Sequence, residues 1–362
     1  MMKKLNFAIV GCGRISDLHA PGYLNHANAE IYAVCDIDKE KAQKKAKEWG
    51  VKQDNIYFDY SEMLKNDKID AVELLLPHNL HAPLTIEAAE AGKHISLQKP
   101  MANSLEECNE MITATRKAGV KFRIFENFRF YPPYMLAKRM IDEGKLGRVS
   151  SIHIKLGTGT GGWEVPIEAW AWRLDENQCG GGPTCWDDGY HKWSIARWLI
   201  ESEIDSVYGW IDYTGIVEDD GEPKTDSPAK FIWKYKEPRT YGSMDVTYSR
   251  NCDFPSNYYA ADERVELTGD NGYIWINQCT AKTIRNEAPV ISFLKGELKE
   301  HFDIKTDWQV SFTNAVQHFI EAILNDTIPE VTPDEGRKIQ QFAQAAHISC
   351  KTHREEHPDE MV

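Results

Sequence analysis

The sequence predicts an α/β amino-terminal domain on a parallel, doubly wound sheet, followed by an α+β domain with a large, open, mostly antiparallel sheet. Three observations carry this expectation. Over about the first 125 residues, continuous apolar runs alternate with amphipathic stretches, the pattern of strands covered on both faces. A glycine-rich turn follows the first of those runs. Beyond Gly147 the runs alternate apolar and polar in period two, as in a sheet with one solvated or paired face.

Taken in order, residues 7–10, 31–35, 71–76, 94–97 and 122–125 read as buried strands. Helices are expected over 39–49, 80–91 and 105–118. The last of these has Asn103 or Ser104 as cap, and Glu106 and Glu107 in its first turn near the positive dipole end. Pro132-Pro133 reads as a break. Residues 151–156, 207–213, 231–235, 243–248 and 273–276 read as strands, and 310–324 and 334–350 as helices. Residues 219–227 form an acidic loop containing Gly and Pro, and the last ten residues look like a polar tail. The change of texture places the domain boundary after residue 127, giving domains 1–127 and 128–362.

A length of 362 residues suits two domains. Lys plus Arg is 42 and Asp plus Glu is 56, a formal net charge of −14 with no basic tail. That balance argues against nucleic acid or an anionic membrane as the main partner. No apolar run approaches the roughly 18 residues that span a bilayer. Met1 to Lys4 lead into a short strand rather than an export signal, so a cytoplasmic location is expected. The eight cysteines are scattered with no Cys-x-x-Cys pair, which predicts free thiols and no metal site.

Gly11-Cys12-Gly13-Arg14-Ile15-Ser16 follows the first strand and opens a helix. Glycines at 11 and 13 permit a tight turn and close backbone approach to a pyrophosphate, and the helix start at Arg14 and Ile15 supplies amide donors. Asp36 closes the second strand 20 residues after Ser16, where a carboxylate accepts ribose hydroxyls and repels a 2′-phosphate. Asp38 adds to that repulsion. NAD is therefore expected over NADP, although Arg14 is a cation able to pair with a 2′-phosphate. The domain reads as a Rossmann unit.

The run Ala91-Gly92-Lys93-His94-Ile95-Ser96-Leu97-Gln98-Lys99-Pro100-Met101 resembles the Glu-Lys-Pro signature of the glucose–fructose oxidoreductase / inositol dehydrogenase / rhizopine-catabolism (Gfo/Idh/MocA) family. Pro77-His78-Asn79-Leu80-His81, Asn127-Phe128-Arg129-Phe130, Gly144-Lys145-Leu146-Gly147, Trp172-Arg173 and Asp187-Asp188-Gly189-Tyr190-His191 look like further family blocks. The resemblance spans roughly residues 5 to 200. It implies a cofactor site that includes Pro77, His78, His81, Gln98, Lys99 and Arg173, and a catalytic set of Lys99, Asp187 and His191. Two departures stand out. Gln98 occupies the position of the family glutamate near the nicotinamide, removing a negative charge beside Lys99. Ser194 stands where many relatives carry Asp.

Oxidising an alcohol needs a base for the hydroxyl proton and positive charge near the developing alkoxide. Imidazole exchanges protons near neutrality, which makes His191 the natural base. Asp187, four residues earlier, shares a helical face with it and can orient the imidazole or bind a neighbouring hydroxyl. Lys99 follows a strand end at the carboxyl edge of the sheet, where ligands bind. Which of Lys99 and His191 takes the proton stays open. Taken singly, such a lysine is an ordinary solvated end and such a histidine an ordinary core group. The combined pattern raises them above that.

Trp163 and Trp170 lie in a Gly-rich stretch and are candidates for a substrate lid that stacks on sugar C–H faces, with Arg173 beside them. The expected activity is NAD-dependent hydride transfer from a ring hydroxyl of a sugar, cyclitol or glycoside, leaning to carbon 3 of a glycoside. The alternatives are an NAD-retaining, redox-neutral glycosidase and a non-enzymatic sugar or NAD sensor. A solvated antiparallel sheet face predicts a homo-oligomer.

Overall fold

The computed structural model describes residues 4–215, 224–277, 280 and 287–361. The chain divides into two compact units, Met1–Asn127 with Phe312–Arg337, and Phe128–Ser311 with Lys338–Val362.

In the first unit β1 (Leu5–Val10), β2 (Ala29–Cys35), β3 (Ile56–Tyr57), β4 (Ala71–Leu74), β5 (His94–Gln98) and β6 (Phe122–Phe125) form one parallel sheet in the order β3-β2-β1-β4-β5-β6. Phe7, Ala8 and Ile9 are fully buried, because helices cover both faces and leave no wet side to a strand. The helices are α1 (Ser16–Leu24), α2 (Lys39–Trp49), α3 (Tyr60–Leu64), α4 (His81–Glu90) and α5 (Leu105–Ala118). The α5 cap is a full capping box, Ser104 with Glu107, so the first-turn acids read from the sequence fall where the dipole favours them. Asp38 caps α2 by accepting from Glu40 N and Lys41 N. The short β3 and α3 escape sequence reading because neither is long enough to show a period.

Residues Phe312–Arg337 return to this unit, with Ile124 N–H donating to Val331 O at 3.0 Å and Arg116 paired with both Asp334 oxygens.

In the second unit Pro132 and Pro133 do not break the chain. They occupy the first turn of α6 (Pro132–Asp142), where a missing N–H costs nothing. An eight-stranded sheet runs β16-β15-β14-β13-β7-β12-β11-β8. Its strands are β7 (Val149–Thr160), β8 (Ile204–Ile211), β11 (Ala229–Tyr235), β12 (Tyr241–Asp253), β13 (Ala261–Gly269), β14 (Gly272–Ile276), β15 (Val290–Leu294) and β16 (Glu297–His301), while β9 (Thr214–Gly215) and β10 (Lys224–Thr225) pair separately. Every ladder is antiparallel except β7 with β12. The central strand β13 was not anticipated: its inward face carries Glu263, whose carboxylate meets the buried Lys192 ammonium at 2.5 Å and breaks the apolar alternation. After α7 (Ile167–Trp170) and α8 (Glu176–Cys179) comes α9 (Gly189–Ile200), followed late in the chain by α10 (Gln309–Leu324) and α11 (Pro333–Thr352). Trp193 of α9 is fully buried against Phe231, Trp233 and Phe342, the core role its spacing implies.

The expected polar tail is instead docked. Glu356 bridges Val207, His357 Nδ1 lies 2.7 Å from Asp205 O, and Pro358 is buried. Pairing with a strand edge needs only backbone groups, so side-chain polarity does not reveal it. Of the acidic loop, residues 219–223 lie outside the described residues, as does Cys279. Among the described residues no helix is long and apolar enough to cross a membrane.

Glu203 accepts from Arg197 and Lys338 at 2.8 and 2.6 Å. Burial opposes its charge, but these two cations prevail and hold its carboxyl down at about 2. A depressed carboxyl stabilises the fold at neutral pH and loses that contribution as pH falls from about 4.5 towards 2. Glu203→Gln should therefore lower the thermal midpoint at pH 7 and shrink that gap below pH 3, measured by calorimetry across pH. An equal gap at both pH values would contradict this.

Candidate active site

One cluster of candidate residues lies at the carboxyl edge of the parallel sheet of the first unit. Gly11 has φ +94°, and a Cβ there would sit 2.2 Å from Leu75 O, so the turn admits only glycine. At Gly13 a Cβ would meet nothing within 4 Å, which leaves the loop backbone open to a ligand. Asp36 is fixed by two backbone donors, Cys12 N at 2.7 Å and Asp38 N at 2.8 Å, one on each oxygen. Each oxygen keeps a further lone pair for a hydroxyl. Arg14 is exposed and Ile15 half-buried at the start of α1. Next to Asp36, Ile37 is 94% exposed, an apolar side chain left on the surface at the ligand-facing edge. Burial, then the Asp36 charge, pushes the Cys12 thiol up to about 12, so the loop cysteine is an inert thiol.

Pro77 and Lys99 are half-buried at the same edge, and His78 is buried. His81 is also buried, with Nδ1 2.8 Å from Pro100 O and Nε2 3.0 Å from Leu76 O. Its ring thus ties the loop after β4 to the Lys99-Pro100 segment. The Lys99 amide donates to Gln98 Oε1 at 3.0 Å.

In the second unit, a separate cluster of candidate residues lies within 163–191. Pro183–Asp188 wind as a π-helical turn that runs into α9, a geometry common at functional sites. Asp187 and His191 straddle that junction, both buried. Arg173 Nε donates to Asp187 Oδ2 at 2.5 Å. Burial works against the Arg173 charge, but the Asp187 carboxylate outweighs it and holds the guanidinium above its ordinary value. The His191 ring packs on Phe128, centroids 4.5 Å apart. Trp163 meets Tyr258 and Tyr259 edge-on at 5.6 and 5.2 Å, and Arg173 stacks on Trp172 at 4.3 Å. Trp170 is half-buried. Ser194 accepts from Arg129 Nε at 3.1 Å.

One supporting residue escaped the sequence reading. Asp226, fully buried, accepts from the N–H groups of Thr184, Cys185 and Trp186 at 2.7, 2.7 and 3.0 Å. It thereby satisfies the free donors at the start of the turn that carries Asp187. The only available signal was one carboxylate in an acidic loop, which looks like an ordinary solvated charge.

Comparison with known proteins covers both units. Residues 5–126 match the profile of an oxidoreductase family with an NAD-binding Rossmann fold, and residues 134–275 match the Gfo/Idh/MocA C-terminal domain. The scyllo-inositol 2-dehydrogenase (NAD(+)) of Bacillus subtilis (strain 168) is 31% identical over 339 residues, covering 92% of this chain and 90% of that protein. Levoglucosan dehydrogenase of Pseudarthrobacter phenanthrenivorans is 29% identical over 302 residues, covering 76% and 74%. A crystal structure of aldose-aldose oxidoreductase from Caulobacter crescentus with glycerol superimposes with a TM-score of 0.81 at 25% identity, covering 98% of this chain and 100% of that one. Matched through both domains, and along 92% of its length by a relative 31% identical to it, the chain belongs to the Gfo/Idh/MocA family of NAD-binding oxidoreductases.

Proposed function

We propose that the protein is an NAD-dependent dehydrogenase of a ring hydroxyl on a cyclitol, sugar or glycoside, with Lys99, Asp187 and His191 as its catalytic residues. The observation that carries this reading is the carboxyl edge of the first sheet, where the open Gly13 loop, the backbone-fixed Asp36 and Lys99 lie together. The loop amides and Asp36 hold the dinucleotide, which supplies a hydride acceptor when bound. Gly11, Gly13, Arg14, Ile15 and Asp36 take the pyrophosphate and ribose side, and Pro77, His78, His81 and Gln98 the nicotinamide side. The substrate loses a hydride from carbon and a proton from oxygen. The Lys99 ammonium hydrogen-bonds the reacting oxygen, the His191 imidazole receives the proton, and Asp187, paired with Arg173, fixes the substrate's orientation.

The relatives named above act on inositol, levoglucosan and aldoses, which supports a polyhydroxylated ring substrate. Trp163, with Tyr258 and Tyr259, offers an aromatic wall for the C–H face of a second ring or an aglycone, which favours a glycoside oxidised at carbon 3. A panel of inositols, levoglucosan, aldoses and aryl glycosides with NAD+ and NADP+, followed at the nicotinamide absorbance, tests this. NADH should accumulate with at least one ring polyol. Turnover with NADP+ alone would overturn the Asp36 assignment, and sugar release without NADH would indicate a redox-neutral glycosidase.

One face of the eight-stranded sheet exposes Trp210, Ile232, Tyr241, Tyr273, Phe293 and Leu298, which the strand registers place on the same side. Interspersed with charged side chains such as Lys230, His153 and Glu266 on the same face, these aromatic and aliphatic groups suit a second copy of the chain. Light scattering should give a multiple of the chain mass, and a monomer at micromolar concentration would refute the assembly.

A further inference from the structure

Beneath Gln98 lies a buried polar network that the catalytic reading does not use. His19, on α1, is fully buried between the rings of Phe125 and Phe312, at 4.1 and 5.2 Å. Its Nε2 is 3.4 Å from Gln98 Nε2. Its Nδ1 is 3.0 Å from Glu73 Oε1, off the line of an ideal hydrogen bond. Glu73, on β4, is itself fully buried and accepts from Tyr23 Oη and from Ser96 Oγ, the latter at 3.2 Å. Ser96 accepts from Arg123 Nε at 3.0 Å, which brings a buried cation from β6 towards the carboxylate. Glu73 on β4 and Arg123 on β6, with β5 between them, are an acid and a base in a sheet core and costly to desolvate, so the network calls for an explanation.

We propose that His19, held by Glu73, is a positioning residue for Lys99 and acts through the Gln98 amide. This rests on the role given to Lys99 above. The Lys99 N–H fixes Gln98 Oε1 as the acceptor, which turns Gln98 Nε2, a donor only, towards His19. His19 Nε2 must then accept, so its proton sits on Nδ1 and faces Glu73. Tyr23, Ser96 and Arg123 keep Glu73 in place. The imidazole is therefore a neutral, single-tautomer peg under the strand end from which Lys99 projects. Gln98 fits this arrangement and a glutamate does not: a carboxylate at 98 would accept from His19 Nε2 and make the ring an imidazolium between two acids.

The direct test is nitrogen NMR of the full chain with labelled histidine, with the His19 signal assigned through its loss in His19→Phe. The proposal predicts the Nδ1–H tautomer in the wild type and its loss in Gln98→Glu. In turnover, His19→Phe should lower kcat about tenfold with the Kd for NAD+ within about twofold, as expected for a displaced catalytic group. His19→Gln, whose amide oxygen can accept from Gln98, should restore part of kcat. An Nε2–H tautomer or an imidazolium in the wild type, or full kcat in His19→Phe, would overturn the proposal. Were Lys99→Ala to abolish turnover while His19→Phe left it intact, this inference alone would fail. Turnover surviving Lys99→Ala would remove the catalytic reading instead, with the tautomer still judging the geometry.

Discussion

Lys99→Ala should lower kcat/KM by about 10³-fold, about 4 kcal/mol of transition-state stabilisation, while the Kd for NAD+ changes by less than about threefold. The ammonium is asked to stabilise charge that develops only as the hydroxyl loses its proton, so the loss falls on kcat rather than on cofactor binding. His191→Ala should cost about 10² to 10⁴ in kcat, the usual worth of a positioned general base. The double variant should fall little below the worse single one if both groups act on one oxygen. Steady-state kinetics beside calorimetric NAD+ titration measures all three. Additive losses, or losses confined to NAD+ affinity, would contradict the shared role. So would full activity in either single variant.

Asp226→Ala should destabilise the protein by about 3–5 kcal/mol and cut kcat/KM by at least about tenfold. Three backbone N–H groups, of Thr184, Cys185 and Trp186, rely on this one buried carboxylate, and an alanine leaves them without it in a water-poor site. The segment freed runs directly into Asp187 and His191, so activity falls with stability. Asp226→Asn keeps one acceptor oxygen but points an amide donor at other donors, and should recover only part of the loss. Urea unfolding measured alongside turnover tests this. A destabilisation below about 1 kcal/mol would show that the turn holds itself.

The parallel sheet was legible because burial on both faces leaves continuous apolar runs, as in residues 7–10 and 71–74, and because the turn at Gly11 has a steric cause the sequence displays. The helix at Leu105–Ala118 was legible to the residue through its cap and first-turn acids. The second unit was less so. Glu263 hides β13 by facing inward, paired with Lys192, and the docked end at 356–358 uses backbone groups that carry no side-chain signal. Lys99, Asp187 and His191 could be proposed from the sequence because each side-chain type carries proton or charge chemistry in itself. The residues that hold others in place were not legible. Asp226, His19 and Glu73 are polar groups whose worth depends on burial and on polar partners 23 to 79 residues away, from Ser96 with Glu73 to Gln98 with His19. Arg173 was read as a ligand contact, and its pairing with Asp187 adds an electrostatic role that spacing does not reveal.

The most direct measurement is a crystal structure of the protein with NAD+ and a substrate found by the polyol panel, or its unreactive deoxy analogue. The account predicts Lys99 Nζ and a His191 ring nitrogen each within about 3 Å of one substrate oxygen or its vacated position, with that carbon facing the nicotinamide. Lys99 and His191 directed to separate cavities, or a ring carbon bound remote from the nicotinamide, would contradict it.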